Sequence, residues 1–377
     1  MNNQHKARVA LYISNYTIGN SPSLLNLINL LSKRNNIHLF LKNVGLITAE
    51  IKKNKNIKII QMDGRYHSQN TISAMINRLK YKEIDYEFHI AVDPHGFVLC
   101  KELFPHIKPF YYSLELYLKN DHFGLDYNKS IMKKERENIT SIKGLIIQSR
   151  EKEDYFKADY ALNKSVPTYI LPVTCYGEGN KEKCKYLRDL YKIPEDNTIA
   201  LHLGGIAEWF SCIELCNEFS KFNDLTLIFH GYSNKEYLKK LKKFIVQEEI
   251  KNVIINENVY DSINELDKIV QSCDIGIAWY NDISTGFRMV GRSSGKIATY
   301  LKFGLPVIAT KYASTIEAIE NPNCGVCITN LRTMKNALDF VRQNYQLLSE
   351  NAIFEYEKTY RFERYEDGLL HFFDEYK

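Results

Sequence analysis

Short apolar runs alternate along the chain with segments in which apolar residues recur at helical spacing. One run lies at residues 9–13 and another at residues 37–41, with a polar loop after the first. The segment between them places one apolar helical face, formed by Leu24, Leu25, Leu27, Ile28, Leu30 and Leu31. This strand, loop, helix, strand order predicts a parallel sheet with crossover helices, typical of the α/β class.

The same order restarts in the second half of the chain. Strand-like runs lie at residues 198–203, 225–229, 253–255 and 274–278, and helical patterns at 209–219 and 263–271. Because 377 residues exceed one typical hydrophobic core, we predict two α/β domains, residues 1–172 and 184–351. A polar, glycine-containing segment at 173–183 is the predicted linker. The aromatic helical pattern at 352–377 is expected to pack back on the first domain; the alternative is a membrane-facing stripe.

The segment 280–310 has an unusual charge pattern. Its second half predicts a helix that ends at Gly304, followed by a short apolar strand. The helix opens with the small residues Ser293, Ser294 and Gly295, and three cations lie around this turn: Arg288, Arg292 and Lys296. The N-terminus of a helix is already positive, so cations there indicate a bound anion such as phosphate. The alternative is a solvated basic loop.

Other candidate residues follow predicted strands. Ligands of parallel α/β sheets bind beyond the carboxyl ends of the strands. In the second half these positions hold Gly204, Gly205, His230, Gly231 and Tyr260; in the first half they hold Gly19, Asp93, His95 and Glu115. Each first-half candidate has a structural alternative, because Asp93 can cap a helix starting near Gly96, His95 can be a packing residue and Gly19 a turn glycine.

Charge is divided unevenly between the halves. Residues 1–170 carry 25 Lys and Arg against 16 Asp and Glu, whereas residues 171–377 carry 25 against 29. The basic first half suggests contact with an anionic surface or a phosphate-bearing acceptor. The cations are dispersed and no nucleic-acid reader motif is present, so we expect no nucleic-acid partner.

Several classes of protein and site are disfavoured by the sequence. No apolar run approaches the ~20 residues of a membrane span, and no signal peptide is evident, so a cytoplasmic protein is expected. The C-x-x-C of Cys324 and Cys327 has no second pair at zinc spacing and is interpreted as part of a buried strand. We therefore expect no metal site.

With these features the chain resembles a glycosyltransferase of the GT-B fold, similar to family-4-type bacterial enzymes. The segment from Ser294, SGKIATYLKFGLPVIA, is similar to the family pattern Ser-x-Lys-x-x-Glu-Tyr-x-x-x-Gly-x-Pro-Val-Ile. The resemblance implies two Rossmann-like domains facing a central cleft, with a final helix crossing back to the first. It also implies a UDP- or GDP-sugar held by the second domain as substrate, no cofactor, and transfer to a hydroxyl of a glycan or glycolipid acceptor. The pathway implied is bacterial cell-envelope polysaccharide synthesis, with peripheral contact to the inner face of the membrane through the basic first domain.

One departure from this pattern concerns two carboxylates. The family usually has Glu, seven residues and Glu before the Gly-x-Pro-Val turn, whereas this chain has Gly291 and Thr299 there. The departure leaves open the donor sugar and the retaining outcome. It also leaves open a protein that binds the nucleotide-sugar without catalysis. A sugar-nucleotide epimerase, which shares the two-domain plan and the anion site, is a further alternative.

The resemblance gives each candidate a hypothetical role. The catalytic candidates are Asp93, Glu115 and His95, Gly19 lies on the acceptor-side loop, and the donor-binding candidates are Gly204, Gly205, His230, Gly231, Tyr260, Arg288, Arg292, Ser293, Ser294, Gly295 and Lys296. Lys296, Arg292 and the amides of residues 293–295 would hold the pyrophosphate, with Gly204 and Gly205 allowing close backbone approach. Asp93 or Glu115 would act as general base if transfer inverts the anomeric centre, and would only position substrates if transfer retains it.

Overall fold

A computed structural model describes residues 6–13, 18, 21–41, 47–62, 79–81, 84–121, 125–257 and 263–377. Their contacts divide the chain into two compact units. Unit 1 consists of Met1–Val173 with Phe362–Lys377, and unit 2 consists of Thr174–Arg361. The last segment of the chain therefore packs within the same unit as the first strand.

Unit 1 is built on a parallel sheet with the strand order β3-β2-β1-β4-β5-β6-β7. Its strands are β1 (Arg8–Ile13), β2 (Asn36–Leu41), β3 (Ile57–Gln61), β4 (Phe88–Val92), β5 (Phe110–Tyr112), β6 (Gly144–Ile147) and β7 (Thr168–Ile170). Val9 of β1 pairs with Ile37 on one side and Phe88 on the other. The strands are almost continuously apolar because a parallel sheet is covered on both faces.

The helices of unit 1 pack on this sheet. They are α1 (Pro22–Arg34), α2 (Ala49–Lys53), α3 (Asp93–Leu103), α4 (Leu125–Asn138) and α5 (Arg150–Asp159), joined by the final helix α15 (Glu366–Tyr376). From α15, Phe373 stacks on Phe88 at 5.0 Å, and Phe372 lies 5.5 Å from Phe110. These aromatic residues belong to the hydrophobic core of unit 1, which accounts for the apolar pattern in the last residues of the sequence.

Unit 2 has a second parallel sheet with the order β10-β9-β8-β11-β12-β13. Its strands are β8 (Thr198–Leu203), β9 (Leu225–His230), β10 (Val253–Asn256), β11 (Ile275–Ala278), β12 (Val307–Thr310) and β13 (Gly325–Ile328). Strand β8 lies between β9 and β11 at the place where the strand order reverses. In open α/β sheets this reversal is where ligands bind.

Nine helices of unit 2 are described, and α11 bears most directly on the candidate site. They are α6 (Tyr186–Tyr191), α7 (Cys212–Phe219), α8 (Lys235–Gln247), α9 (Ile263–Gln271), α10 (Thr285–Arg288), α11 (Gly295–Lys302), α12 (Ala313–Thr315), α13 (Met334–Gln343) and α14 (Tyr345–Glu355). Helix α11 ends as predicted: Gly304 has φ +63° and its amide donates to Leu301 O at 3.1 Å. The amide of Leu305 donates to Tyr300 O at 3.0 Å, which completes a Schellman motif.

Two predicted helices are interrupted. The predicted helix at 209–219 consists of a 3₁₀ turn, Glu208–Phe210, and helix α7, with Ser211 between them at φ +48°. The helical pattern at 352–377 contains the end of α14, a π turn at Tyr356–Tyr360, a 3₁₀ turn at Phe362–Arg364 and α15. The apolar spacing indicated helix in both cases but does not register these local breaks.

Candidate functional site

The ends of β8 and β9 meet through two glycines. The amide of Gly204 donates to the carbonyl oxygen of His230 at 2.8 Å. Gly204 has φ +102°, and a Cβ added to Gly231 would lie 1.8 Å from the carbonyl oxygen of Gly204. The two glycines are therefore required by backbone conformation and by close approach. Gly204 and Gly205 are partly exposed, so a ligand can reach their backbone.

Helix α11 is fixed against the same strand ends by Tyr300. Its hydroxyl donates to Leu201 O at 2.8 Å and accepts from the amide of Leu203 at 2.8 Å. The buried ring fits because β11 has a glycine opposite it: a Cβ on Gly276 would lie 2.3 Å from Tyr300 Cδ2. These contacts bring the N-terminal turn of α11 towards the carboxyl end of β8.

The N-terminus of α11 is capped by Ser294. Its Oγ accepts from the amide of Ile297 at 3.3 Å and lies 2.5 Å from the hydroxyl of Tyr280. The cap satisfies one of the amides that a helix start leaves without an intrahelical partner. The neighbouring amides of Gly295 and Lys296 belong to the same turn, and their dipoles favour an anion there.

Lys296 points into the interior at this turn. The residue is 9% exposed, and its Nζ has no hydrogen-bond partner among the described residues. The nitrogen lies 4.1 Å from the ring centroid of Phe210 and 4.9 Å from that of Tyr280. We call this pair of rings the aromatic enclosure. Burial lowers the pKa of Lys296 from 10.5 to about 7, against a smaller upward effect of Cys212.

The amine is also close to the glycine turn. A Cβ added to Gly204 would lie 3.9 Å from Lys296 Cε, and one added to Gly205 would lie 2.9 Å from Phe210 Cε2. The groups suited to binding a phosphate (a partly exposed glycine backbone, a helix N-terminus and an amine) therefore meet at one place in unit 2.

Arg288 and Arg292 have acidic partners instead. Arg288 forms an ion pair with Asp282 at 2.7 Å, and Arg292 one with Glu317 at 3.0 Å. Their side chains are 48% and 38% exposed. Ser293, the small residue after Arg292, donates its hydroxyl to Met289 O at 2.8 Å. Of the three predicted cations, only Lys296 is enclosed and without an ion-pair partner among the described residues.

The two positions at which the family pattern has carboxylates are both inside unit 2, and position 291 is closed by packing. A Cβ on Gly291 would lie 2.1 Å from the carbonyl oxygen of Ser314, and Gly291 O accepts from the hydroxyl of Tyr360 at 2.9 Å. Thr299 is buried and donates to Gly295 O at 2.8 Å. No side chain fits at position 291 without a shift of backbone.

In unit 1 the structure separates the roles of Asp93 and Glu115. Asp93 is 3% exposed, has φ +51°, and its Oδ1 accepts from the amides of Leu114 at 2.7 Å and Glu115 at 3.2 Å. Helix α3 begins at Asp93 itself rather than near Gly96. Asp93 therefore ties the end of β4 to the segment after β5, whereas Glu115 is exposed.

Sequence reasoning missed a polar group near these carboxylates. Lys152 is 3% exposed and donates to Gln148 Oε1 at 3.2 Å, and Gln148 Nε2 donates to Ser113 O. Burial lowers the pKa of Lys152, while the charges of Glu115 and Asp93 raise it. Helical spacing alone does not reveal which lysine of α5 turns inward, so Lys152 was not among the predicted site residues.

Other predicted residues have simpler placements. His95 is half-buried in α3. His230 is buried at the end of β9, and burial lowers its pKa against a weaker upward effect of the Asn256 backbone. Gly19 and Tyr260 lie outside the described residues. Phe210 and Tyr280 were not predicted as site residues, because their approach to Lys296 depends on how two separate loops meet the start of helix α11.

Neither a metal cluster nor a membrane-spanning helix occurs in the described part of the chain. No group of three or more His, Cys, Asp or Glu residues there is arranged to hold a metal ion. No described helix combines the length and the apolar character needed to cross a bilayer. Cys324 and Cys327 are buried free thiols, and Cys327 lies in β13, in agreement with the predicted strand.

Comparison with known families identifies the segment that contains this site. Residues 245–357 match the family described as Glucosyltransferase 3-like, C-terminal domain. The match includes α11, Lys296 and the segment from β11 to β12. No sequence among the curated proteins matches the chain.

Solved structures extend the likeness to nearly the whole chain. HepE of Anabaena in complex with UDP-glucose is 14% identical with a TM-score of 0.77, covering 98% of this chain and 99% of that one. Sucrose-phosphate synthase of Thermosynechococcus elongatus is 10% identical with a TM-score of 0.73 and covers 98% of both chains. WaaG, a glycosyltransferase involved in lipopolysaccharide biosynthesis, is 13% identical with a TM-score of 0.64, covering 93% of this chain and 95% of that one.

These comparisons confirm the predicted fold class. The chain is an α/β protein of GT-B fold, with two parallel sheets and a glycosyltransferase C-terminal domain. The match of residues 245–357 to a glucosyltransferase family agrees with the predicted class of protein, a glycosyltransferase. The narrower family-4 assignment stays a prediction.

Proposed function

We propose that this glycosyltransferase binds the diphosphate of a UDP- or GDP-sugar where α11 begins beside Gly204, and transfers the sugar to a hydroxyl of a glycan or glycolipid. The observation that carries the proposal is the amine of Lys296. It is buried, without a hydrogen-bond partner among the described residues, and close to a glycine turn at the carboxyl end of β8. A buried amine left unpaired is costly, and a phosphate oxygen is the partner this site is suited to accept.

The same groups suit the chemistry of transfer. Departure of the sugar leaves additional negative charge on the nucleoside diphosphate. The Lys296 amine and the amides at the start of α11 are preorganised to stabilise that charge. We propose that this stabilisation requires no metal ion and no cofactor, so activity should persist in the presence of a chelator.

The donor is tested first by binding. HepE is known in complex with UDP-glucose, which makes UDP-glucose the first ligand to try, with GDP-mannose as its guanosine counterpart. A ligand at 100 times its Kd should stabilise the folded protein by about 2.7 kcal/mol. Lys296→Met should lose this stabilisation, whereas the exposed Lys239→Met on α8 should keep it. Equal stabilisation of both variants would refute the assignment of Lys296.

The acceptor hydroxyl requires a group in unit 1, and we propose Glu115. It is exposed, whereas the carboxylate of Asp93 accepts two backbone amides. If transfer inverts the anomeric centre, Glu115 acts as general base; if transfer retains it, Glu115 positions the acceptor. Identifying the product anomer by NMR separates the two cases. Glu115→Gln should lower kcat in the first case far more than in the second.

Turnover distinguishes the remaining classes of function. A sugar-nucleotide epimerase would convert the donor without an acceptor, and a non-catalytic protein would bind the donor with no turnover for any acceptor. Gly291 and Thr299 do not decide between these, because both are occupied in packing. Transfer to a lipid-linked or glycan acceptor of the cell envelope is the outcome we propose, at the inner face of the membrane.

A further inference from the structure

The aromatic enclosure offers Lys296 an unusual environment. Phe210 lies on the turn after β8 and Tyr280 follows β11, so two loops enclose an amine from a third element, α11. Both rings lie within 5 Å of the nitrogen, at 4.1 and 4.9 Å. Aromatic faces attract a cation, but they replace water, which solvates it far better. The enclosure therefore stabilises the charged amine less than solvent does.

The ionisable groups around the amine do not compensate for the lost water. His202 on β8 is fully buried, its Nε2 lies 3.0 Å from Gly205 O, and burial together with the charge of Lys296 holds its pKa well below the usual range. Cys212 on α7 is a buried thiol whose pKa is raised to about 11 by burial. The hydroxyl of Tyr280 is paired with Ser294. The groups facing the amine are therefore uncharged near neutral pH, and no ion pair of Lys296 occurs among the described residues.

Binding of a diphosphate would shift the equilibrium between the charged and uncharged forms of the Lys296 amine. A phosphate oxygen beside the nitrogen favours the ammonium form both by charge and by accepting its hydrogen bonds. Above neutral pH, where the amine of the free enzyme is mostly uncharged, the protein would then take up a proton from solvent when it binds the donor. The free enzyme, in turn, avoids a buried unpaired charge when the site is empty.

We infer that Phe210 and Tyr280 are positioning residues that keep the amine of Lys296 largely uncharged in the free enzyme above neutral pH, so that binding of a nucleoside-diphosphate sugar there takes up a proton. This inference rests on the proposed donor site and adds its regulation: donor affinity falls as the pH rises. It also assigns a role to Phe210, whose ring covers Gly205.

Isothermal titration calorimetry of UDP-glucose and of GDP-mannose measures the proton directly. The pyrophosphate of these donors is a diester that does not titrate near neutral pH, so uptake reports the protein. Titrations at pH 8 in Tris and in HEPES should differ in apparent enthalpy, because the two buffers release a proton with different heats. We expect about 0.9 proton per donor at pH 8 and about 0.1 at pH 6, from a group that titrates near 7.

Three variants assign the proton. Lys296→Arg keeps a permanently charged group, so it should bind donor without uptake at either pH. Phe210→Ser opens the enclosure to water beside Gly205, and should bind donor with reduced uptake and a flatter dependence of Kd on pH. Phe340→Ser, at a partly exposed phenylalanine elsewhere in unit 2, is the matched control and should behave as wild type.

The outcomes separate this inference from the proposed function. Donor binding with no proton uptake and a constant Kd between pH 6.5 and 8.5 overturns the inference and leaves the donor site in place. No binding of either donor overturns both. Uptake that persists in Lys296→Arg shows that another group takes the proton and also overturns the inference. If Phe210→Ser fails to fold, wild type and Lys296→Arg decide the question.

Discussion

The hydroxyl of Tyr300 lies 2.8 Å from the amide nitrogen of Leu203, joining helix α11 to the last residue of β8. The same oxygen donates to Leu201 O at 2.8 Å. Because Lys296 lies one turn earlier on α11, the hydrogen bonds of Tyr300 fix the position of the helix N-terminus beside Gly204. Gly276 is part of the arrangement, since a side chain there would collide with the ring.

Removing the phenol oxygen tests this connection. Tyr300→Phe leaves the amide of Leu203 without the acceptor that Tyr300 supplies, and an unsatisfied buried group costs about 1–3 kcal/mol. We expect urea unfolding to show a loss of this size. We also expect UDP-glucose to bind more weakly, because α11 is less firmly held beside Gly204.

The control is Tyr155→Phe, which removes a hydroxyl from a tyrosine that is 47% exposed in unit 1. It should change neither stability nor donor affinity. If Tyr300→Phe proves as stable as wild type and binds UDP-glucose equally well, Tyr300 does not position the helix.

Local features of the proposed donor site could be predicted from sequence, and long-range ones could not. Helix α11 and its end at Gly304 follow from residue type and spacing. The pairing of Arg292 with Glu317 brings together residues 25 positions apart, and charge pattern alone does not fix such a partner. The approach of Phe210 to Lys296 likewise requires the folded loops.

Position 291 supplies a second prediction. The backbone of Ser314 fills the space where a side chain would go, so Gly291→Ala should destabilise unit 2 by overpacking, by about 1–3 kcal/mol. Gly291→Glu, which introduces the Glu of the family-4-type pattern, should be destabilised at least as much and should not raise activity. Thermal unfolding measures the first effect and a transfer assay the second.

A control for position 291 comes from another glycine. The Cβ of Gly177→Ala would meet no atom within 4 Å, but Gly177 has φ +88°. Any loss of stability in this variant therefore comes from backbone strain and not from a steric collision. A stable, more active Gly291→Glu would show that the packing around Ser314 adapts and that this site accepts the family's carboxylate.

Lys296 itself should lower the stability of the free protein at neutral pH. Burial holds its folded-state pKa at about 7, below the usual 10.5. Between these values the unfolded chain binds more protons, so the contribution of Lys296 to stability rises with pH across that window. Lys296→Met should therefore unfold at a higher temperature than wild type at pH 7, with the difference shrinking towards pH 10. Lys239→Met should show no such trend.

The proposed membrane contact can be assigned to a unit. Lys52, Lys53 and Lys55 of unit 1 are exposed, as are Lys239, Lys240 and Lys243 on α8 of unit 2. Near an anionic bilayer each lysine contributes about 1 kcal/mol. Replacing the unit 1 set by Gln should weaken sedimentation with phosphatidylglycerol vesicles, and the matched unit 2 set should not. Equal binding to neutral vesicles would remove the proposed contact.

Glu135 in helix α4 makes the stability of unit 1 depend on pH. It is fully buried, its Oε1 accepts from the hydroxyl of Tyr111, and its Oε2 accepts from that of Tyr160 at 2.8 Å. Burial raises its pKa from 4.5 to about 7, although both hydroxyls act in the opposite direction. The folded state therefore holds a proton that the unfolded chain has released between these pH values.

The sign of the effect follows from that proton. The contribution of Glu135 to the free energy of unfolding is fully present below pH 4.5. It is lost as the pH rises through 7, at up to about 1.4 kcal/mol per pH unit. Glu135→Gln cannot ionise, so its free energy of unfolding should rise relative to that of wild type from pH 5 to about pH 7, and the difference should then level off towards pH 8. Glu137→Gln is the control, because it removes an exposed carboxylate from the same helix. Parallel pH profiles for wild type and Glu135→Gln in urea unfolding would show that Glu135 is ionised in the folded protein throughout this range.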